Sequence, residues 1–400
     1  MSLLDELARR ERWEKFYEYK TSLACPKAFA GELRAFIDEG AYLPVCRRIE
    51  AGEPFPLPRK SVISKLDARK KRVVYTYPRA ENTVLKLLTW LLLRKYDGLF
   101  EENLWSFRPG RTAKDAIRSL RGIPGIWEMW AYKADVSNYF NSVPVERLLP
   151  MLGEALGEDG RLYAFLAALL TEARVHSGSG TVTEEKGIMA GTPLSAFYAN
   201  LYLRALDREF ARRGVPYARY SDDIILFTPD RAGAEERAGE VRAILAEHGL
   251  AMNPAKESFF APSEGWVFLG FLCKGGTVDI APVSLEKIKG KMRRKARSLM
   301  RWRERSGRSG EQAAAAFIRV FNRKLLESPP DNDLSWSRWF FPLITTADSL
   351  RAIDRYAQDC LRWLVSGKRT KGRFDVRYED LKRLGYRSLV HEYYAFNKEE

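Results

Sequence analysis

Ala218-Arg219-Tyr220-Ser221-Asp222-Asp223-Ile224-Ile225-Leu226-Phe227 is the stretch on which the reading of this chain turns. Two short apolar or aromatic arms flank a polar tip, the pattern of a β-hairpin. Adjacent aspartates at such a tip repel each other unless a cation neutralises them. Oxygen-rich, carboxylate-lined sites suit magnesium. A plain polar turn is the rival reading, since Asp is common in turns. It weakens because a second strand-like run, Trp127 to Val136, delivers Asp135, followed by the aromatic pair Tyr139-Phe140. Two-metal phosphoryl transfer needs carboxylates that converge from separate strands on ions about 4 Å apart.

Working outward from the tip, Leu194, Phe197, Leu201, Ala205 and Phe210 recur at helical spacing, which predicts one amphipathic helix over Pro193 to Arg212. A helix from Ala232 to His248 should end at Gly249. The runs Trp266 to Leu272 and Thr277 to Ile280 flank Lys274-Gly275-Gly276 and read as a hairpin. Upstream, residues 1–60 look helical and end at Pro54, Pro56 and Pro58. The basic segment Arg69-Lys70-Lys71-Arg72 leads into a strand, Val73 to Tyr77, then a buried helix, Glu81 to Tyr96. Helices are expected from Val145 to about Ala173, and a hairpin tip or loop from His176 to Thr183. After Pro282 the character changes. Residues 284–305 form a strongly basic helix, with Arg293, Arg294, Lys295, Arg297 and Arg301 among its charges and Leu285, Ile288, Met292, Leu299 and Met300 as its apolar remnant.

Composition bounds the function. The chain has 400 residues, enough for two or three domains. Lys plus Arg number 67 against 52 Asp plus Glu, a net charge of +15 that favours a polyanionic partner. The apolar run from Val84 to Leu93 is interrupted by Lys86 and too short to span a bilayer. The N-terminus has no signal-peptide core, so a cytoplasmic protein with no membrane partner is expected. Cys25, Cys46, Cys273 and Cys360 are scattered, as reduced thiols would be, with no CxxC pair to suggest zinc. His176, His248 and His391 lie far apart, which gives a Ser-His-Asp triad little support.

The motif order resembles that of prokaryotic reverse transcriptases: the group II intron, retron and defence-associated enzymes. The matching segments are Ser106-Phe107-Arg108-Pro109-Gly110-Arg111 with Asp115-Ala116-Ile117, Asp135 to Phe140, Gly191 to Leu203, Tyr220 to Asp223, Gly249-Leu250 through Asn253 and Lys256, and Phe268-Leu269-Gly270-Phe271. They span roughly residues 65–275. The resemblance implies an α+β right-hand polymerase: fingers, an antiparallel palm sheet packed on helices, and a helical thumb. It implies an N-terminal helical extension over 1–60, fingers over 61–134 with part of the palm, palm over 135–282, and thumb or RNA-binding region over 283–400.

The same resemblance implies roles. Asp135, Asp222 and Asp223 would bind two Mg2+ ions, with Mn2+ as a substitute and the Val136 carbonyl completing a shell. Phe140 would crowd a ribose 2′-hydroxyl, although a core aromatic is an equal reading of the bare residue. Arg72 and Arg79 would clamp the triphosphate, with Gly191 and Tyr220 beside the substrate. Lys256 would protonate the departing pyrophosphate. The partners implied are an RNA template, a DNA or RNA primer and dNTPs, and the basic 284–305 helix adds a structured noncoding RNA.

One departure matters. Ala190 stands where the family has glutamine, and Ala196 where it has proline. The missing amide keeps two alternatives open: a template-independent or protein-primed DNA polymerase, and a non-catalytic RNA-binding protein. Antiphage defence or a domesticated element, rather than a mobile intron, is the expected setting, by analogy.

Overall fold

The computed structural model describes residues 2–23, 25–64, 71–185, 187–327, 335–370 and 372–399. Arg69 and Lys70 of the basic segment lie outside them. The described chain divides into two compact units: residues 1–22 with 28–261, and residues 23–27 with 262–400. The compositional change at 282 lies inside the second unit, between its sheet and its basic helix.

The first unit holds two sheets. One pairs β1 (Arg59–Ser64) with β2 (Lys71–Thr76) antiparallel, and adds the hairpin β4 (Arg174–Ser177) and β5 (Gly180–Thr183), in the order β2-β1-β4-β5. The His176–Thr183 stretch is thus a true hairpin. The other sheet contains β3 (Trp130–Asp135), β6 (Tyr217–Tyr220), β7 (Asp223–Thr228) and β8 (Ser258–Phe260), antiparallel in the order β6-β7-β3-β8. Its core-facing residues Tyr132, Ala134, Ile224 and Leu226 join one apolar cluster with Leu85, Leu88, Leu148, Leu166, Phe197, Phe210 and Val241 from the surrounding helices. Burial at about 25 cal/mol per Å2 of apolar surface makes this sheet a fixed platform.

The helix expected over Pro193–Arg212 is two helices, Ser195–Tyr202 and Arg204–Arg212, broken at Leu203. Two backbone carbonyls at the break are held by side chains. The Tyr139 hydroxyl donates to Ala199 O at 2.5 Å, and Arg219 Nη2 donates to Asn200 O at 3.3 Å. In an unbroken helix these carbonyls would accept from the amides of residues 203 and 204. The Leu203 amide turns to Leu201 O instead.

In the second unit the run expected to be one arm, Trp266–Leu272, is two strands. β9 (Trp266–Phe268) and β10 (Phe271–Lys274) join through Leu269 and Gly270, at φ of 49° and 91°, and β11 (Thr277–Ile280) completes the sheet. Both turn residues are left-handed, as a tight two-residue hairpin requires. The basic helix runs Pro282–Ser306 and buries Ile288, Met292, Ala296, Leu299 and Met300. It packs with the helices Gly310–Leu325 and Asp348–Ser366.

Asp354 fastens the C-terminal segment to this bundle. Its carboxylate accepts from Tyr386 Oη at 2.8 Å, Ser388 Oγ at 2.6 Å, Leu389 N at 2.9 Å and Val390 N at 3.1 Å. The last two amides open the Leu389–Glu399 helix, where a carboxylate caps free N–H groups. Asp354→Ala leaves these donors without their acceptor, the Leu389 amide buried and the others partly so. It should destabilise the second unit by about 2–4 kcal/mol, as loss of several charge-assisted bonds does. Urea unfolding and accelerated proteolysis near residue 386 would register it; an unchanged midpoint would deny Asp354 this role.

Candidate active site

β3 and β7 are in register so that Asp135 faces Asp223 directly. Cβ atoms of such opposed residues lie about 4.5–5.5 Å apart, and like charges there repel. Tyr220 pairs with Asp223 across β6 and β7, leaving Ser221-Asp222 as a two-residue loop. Ser221 has φ of 60°. The loop is tied to β3, because Val136 N–H donates to Asp222 O at 3.1 Å. The three aspartates therefore arrive together, two facing across strands and one at the tip between them.

Their electrostatics are those of crowded carboxylates. Burial raises the Asp222 pKa, and Asp135 and Asp223 raise it further. Burial raises Asp223 as well; Lys133 pulls the other way, and Asp135 adds to the rise. Two ammonium groups offset the negative charge. Lys256 Nζ lies 2.6 Å from Asp135 Oδ2, and Lys133 Nζ lies 3.6 Å from Asp223 Oδ1. A short 3-10 turn, Pro254–Lys256, presents Lys256. That turn is fixed by Asn253 N–H donating to Asp135 O at 2.8 Å and by the Asn253 side chain accepting from Ala255 N. Among the described residues, no three His, Cys, Asp or Glu side chains form a ready-made metal cage. The donor set is oxygen-only, partly buried and short of positive charge, which fits a hard divalent cation.

Behind the tip lies a buried support that the sequence reading missed. Arg219 and Asp207 are both fully buried and ion-paired, with Arg219 Nε donating to Asp207 Oδ1 at 2.7 Å. Burial opposes the Arg219 charge, but Asp207 outweighs it and keeps the guanidinium protonated. Arg219 Nη1 then donates to Ser221 O at 3.1 Å. Ser106 Oγ accepts from Ser221 N at 2.8 Å, and Asn200 Nδ2 donates to Ser106 O at 2.8 Å. Lys133 was also missed. Strand alternation places it on the same face as Asp135, a signal the sequence did contain.

The remaining candidates are distributed. Phe140, half-buried, meets the exposed Phe107 edge-on at 6.5 Å, and Phe107 has φ of 58°. The loop 187–191 links Phe140 to β2: Ile188 N–H donates to Phe140 O at 2.7 Å, and Tyr75 N–H donates to Ala190 O at 2.8 Å. Gly191, at φ of 98°, lies against β2 so closely that a Cβ would meet Tyr75 O at 3.2 Å. Tyr220 is half-buried at the end of β6, its pKa raised by burial. Arg72 is exposed on β2. Arg79 is exposed and paired with Glu32 at 2.8 Å, an exposed contact that opens at little cost. On the 282–306 helix, Arg293, Arg294, Arg297 and Arg301 are exposed and Lys295 is half-buried.

Residues 63–273 match the family model described as reverse transcriptase (RNA-dependent DNA polymerase). The chain belongs to the reverse transcriptase family. It is 29% identical over 154 residues to an uncharacterized 91 kDa protein in the cob intron of Schizosaccharomyces pombe, covering 37% of this chain and 18% of that protein. It is 23% identical over 190 residues to the group II intron-encoded protein LtrA of Lactococcus lactis subsp. cremoris, covering 46% and 30%. The chain thus spans less than a third of the length of either relative. Among solved structures, telomerase from Candida albicans in complex with a TWJ fragment of telomeric RNA aligns at TM-score 0.45 and 12% identity, over 84% of this chain and 67% of that one. Apo telomerase from Candida tropicalis, truncated from its C-terminal domain, gives the same score and identity over 56% and 55%. The family has the α+β fold that the motifs implied, and the matched region holds all of the sheet β6-β7-β3-β8 and, of the other sheet, all but most of β1.

The raised pKa values carry a sign. A carboxyl that holds its proton more tightly when folded supports stability fully below the ordinary Asp range and loses that support as pH rises through the raised value. At neutral pH the ionised Asp222 therefore costs stability. Asp222→Asn should raise Tm by a few degrees at pH 7.5 in EDTA, since about 1 kcal/mol moves a 150–250-residue domain by 2–4 °C. The gain should shrink towards pH 4. Added Mg2+ should raise the wild-type Tm and leave the variant nearly unmoved. A variant melting below wild type in EDTA at pH 7.5 would contradict the repulsion.

Proposed function

We propose that this chain is an RNA-directed DNA polymerase. The observation that carries the reading is the register that sets Asp135 opposite Asp223, with Asp222 tied to Val136 at the tip between them. The reaction joins a primer 3′-hydroxyl oxygen to the α-phosphorus of a deoxynucleoside triphosphate and expels pyrophosphate. Asp135, Asp222, Asp223 and the Val136 carbonyl would hold two Mg2+ ions, or Mn2+, which when bound activate the hydroxyl and carry the triphosphate charge.

The chain's own groups do the positioning. Arg219 and Ser106 hold the Ser221-Asp222 tip from below, so the carboxylates meet substrate in one arrangement. Phe140, braced by Phe107, closes the space beside the sugar and selects deoxyribose. Gly191 and Tyr220 border the nucleotide. Arg72 and Arg79 neutralise its phosphates, Arg79 after leaving Glu32. Lys256 carries a proton beside Asp135 and supplies it to the departing pyrophosphate.

We assign residues 1–60 to an N-terminal helical extension, 61–134 to fingers with part of the palm, 135–282 to palm and 283–400 to a helical thumb. RNA template and a DNA or RNA primer are the macromolecular substrates. The exposed arginines of the 282–306 helix fit a structured noncoding RNA, whose phosphates they would contact. The proposed setting is cytoplasmic antiphage defence, by analogy with that branch of the family; the competing setting, an intron, is favoured by the curated relatives. Sequencing RNA bound to the native protein separates them: an RNA encoded beside the gene but outside any intron supports defence, whereas bound intron RNA overturns it. A second reading, template-independent synthesis, is favoured by Ala190, which offers only its backbone carbonyl, and that to Tyr75.

Primer extension on RNA template, DNA template and no template tests the activity. Incorporation should require RNA template and Mg2+, and Asp222→Asn or Asp223→Asn should lower it by at least about a thousandfold while the protein stays folded; each tenfold corresponds to about 1.4 kcal/mol of barrier. Extension by Asp222→Asn at the wild-type rate would remove the assignment, and extension without template would favour the second reading. In the same assay Phe140→Ala should admit ribonucleotides about tenfold more readily, a change of about 1.4 kcal/mol in discrimination. An unmoved ratio of deoxynucleotide to ribonucleotide use would take the gate away from Phe140.

A further inference from the structure

The second unit contains a cavity of about 890 Å3, within the size range of ligand sites. It opens between the Pro282–Ser306 helix, the Gly310–Leu325 helix and the short helix Trp336–Phe340. Lys287 and Lys291 line it from the first helix, Arg323 and Lys324 from the second, and Trp336 and Trp339 from the third. Glu327 is the one acidic residue among the lining residues.

The cations form a designed-looking row. Lys287 and Lys291 are four apart, and Arg294 follows three later, so all share one face of the helix. Lys324 comes against Lys291 from the facing helix. Burial holds the Lys291 pKa below its ordinary value, and Lys324, Arg294 and Lys287 lower it further. Among the described residues none of Lys287, Lys291, Arg323 and Lys324 is ion-paired. Among the described lining residues Glu327 is the one carboxylate against four cations, so the excess positive charge costs free energy that an anion would recover. Arg293, Lys295, Arg297 and Arg301 do not line the cavity; Arg293 and Arg297 are among the charges sensed by Tyr356 of the Asp348–Ser366 helix.

The aromatic side sets the kind of anion. Trp336 and Trp339 are half-buried, each braced by a phenylalanine: Trp336 on Phe340 at 4.7 Å, and Trp339 stacked on Phe271 at 6.4 Å and 23°. Braced indoles that are only partly buried present flat faces at low entropic cost. An acidic peptide would use the cations and leave the indoles wet. A nucleotide uses both, its base against an indole and its phosphates on the lysines. We propose that this cavity is a single-strand nucleic-acid site, in which Lys287, Lys291, Arg323 and Lys324 hold consecutive phosphates while a base stacks on Trp336 or Trp339.

The cavity shares no residue with the Asp135–Asp222–Asp223 tip, and its test uses the full chain carrying Asp222→Asn, without dNTP or metal, so a failed polymerase assay leaves it intact. Fluorescence anisotropy with labelled rU8 and dT8 across a salt series reads the affinity. Lys291→Gln with Lys324→Gln should weaken binding about tenfold or more and reduce the slope of log affinity against log salt by about two, one per lost phosphate contact. Trp336→Ala should weaken binding about tenfold with the salt slope unchanged, because stacking does not release counterions. Should Trp336→Ala fail to fold, Trp336→Phe at unchanged Tm takes its place, with a smaller loss expected. The control, Arg319→Gln with Arg355→Gln, removes equal charge from exposed positions of the same unit outside the cavity. Equal losses in control and cavity variants would overturn the proposal in favour of a diffuse basic surface. An octaglutamate peptide competing as well as rU8 would overturn it in favour of charge alone. A preference between rU8 and dT8, both lost in the cavity variants, would name the strand and support the site.

Discussion

A buried charge pair governs the geometry of this protein. Arg219 and Asp207 are sealed from solvent, and each alone would be an uncompensated ion in the interior. Breaking such a pair typically costs about 3–5 kcal/mol. Because both partners must be satisfied in place, the helix Arg204–Arg212 is locked to β6, and β6 sets the height of the Ser221-Asp222 tip. The guanidinium spends its remaining N–H groups on Ser221 O and Asn200 O. Tyr217 adds its hydroxyl to Asp207 at 3.0 Å. One arginine thus fixes a strand, a helix junction and the turn that bears the aspartates.

Around that anchor the backbone is held in conformations it would not choose. The non-glycine residues with positive φ include Phe107, Asn138, Met189 and Ser221. Each lies on a segment bordering the carboxylate tip or Phe140. Left-handed backbone at a non-glycine residue persists only where its surroundings over-determine it, and such positions cluster where function needs a fixed shape. Here the determinants are visible: Ser221 is held through both its amide and its carbonyl, and Phe107 sits beside Ser106, whose hydroxyl and carbonyl are both engaged.

Much of this could be read from the chain, and what could not has a common cause. The hairpin at 220–223 and the strand ending at Asp135 announce themselves through alternation and their aspartates, and both exist. Lys256 was found through a motif and lies on Asp135. Arg219 and Asp207 were overlooked because, twelve residues apart on different elements, each looks like an ordinary surface charge. The break at Leu203 was invisible because its causes, Tyr139 and Arg219, come from elsewhere in the sequence while the local pattern remains helical. The turn at Leu269-Gly270 was masked by an unbroken apolar run. On the basic helix the charge was evident, but which face gathers it depends on Lys324 from another helix. Local period is legible in one dimension; capture of a backbone group by a distant side chain is not.

The loop 187–191 adds a mechanical property. At one end a Cβ on Gly187 would meet Asn141 Cα at 2.7 Å, and at the other a Cβ on Gly191 would press on Tyr75 O and Val74. The Gly187 end is backbone against backbone and the Gly191 end lies on the Tyr75 backbone and the Val74 Cβ, with hydrogen bonds to Phe140 O and from Tyr75 N to seat them. Among the described residues the atoms nearest either junction are backbone or the stiff Cβ of Val74, which absorb little displacement. The segment is therefore a strut without slack. A shift of β2 by a fraction of an ångström has nowhere to dissipate before it reaches the carbonyl of Phe140, so the position of an outer strand is written directly into the width of the space beside that ring.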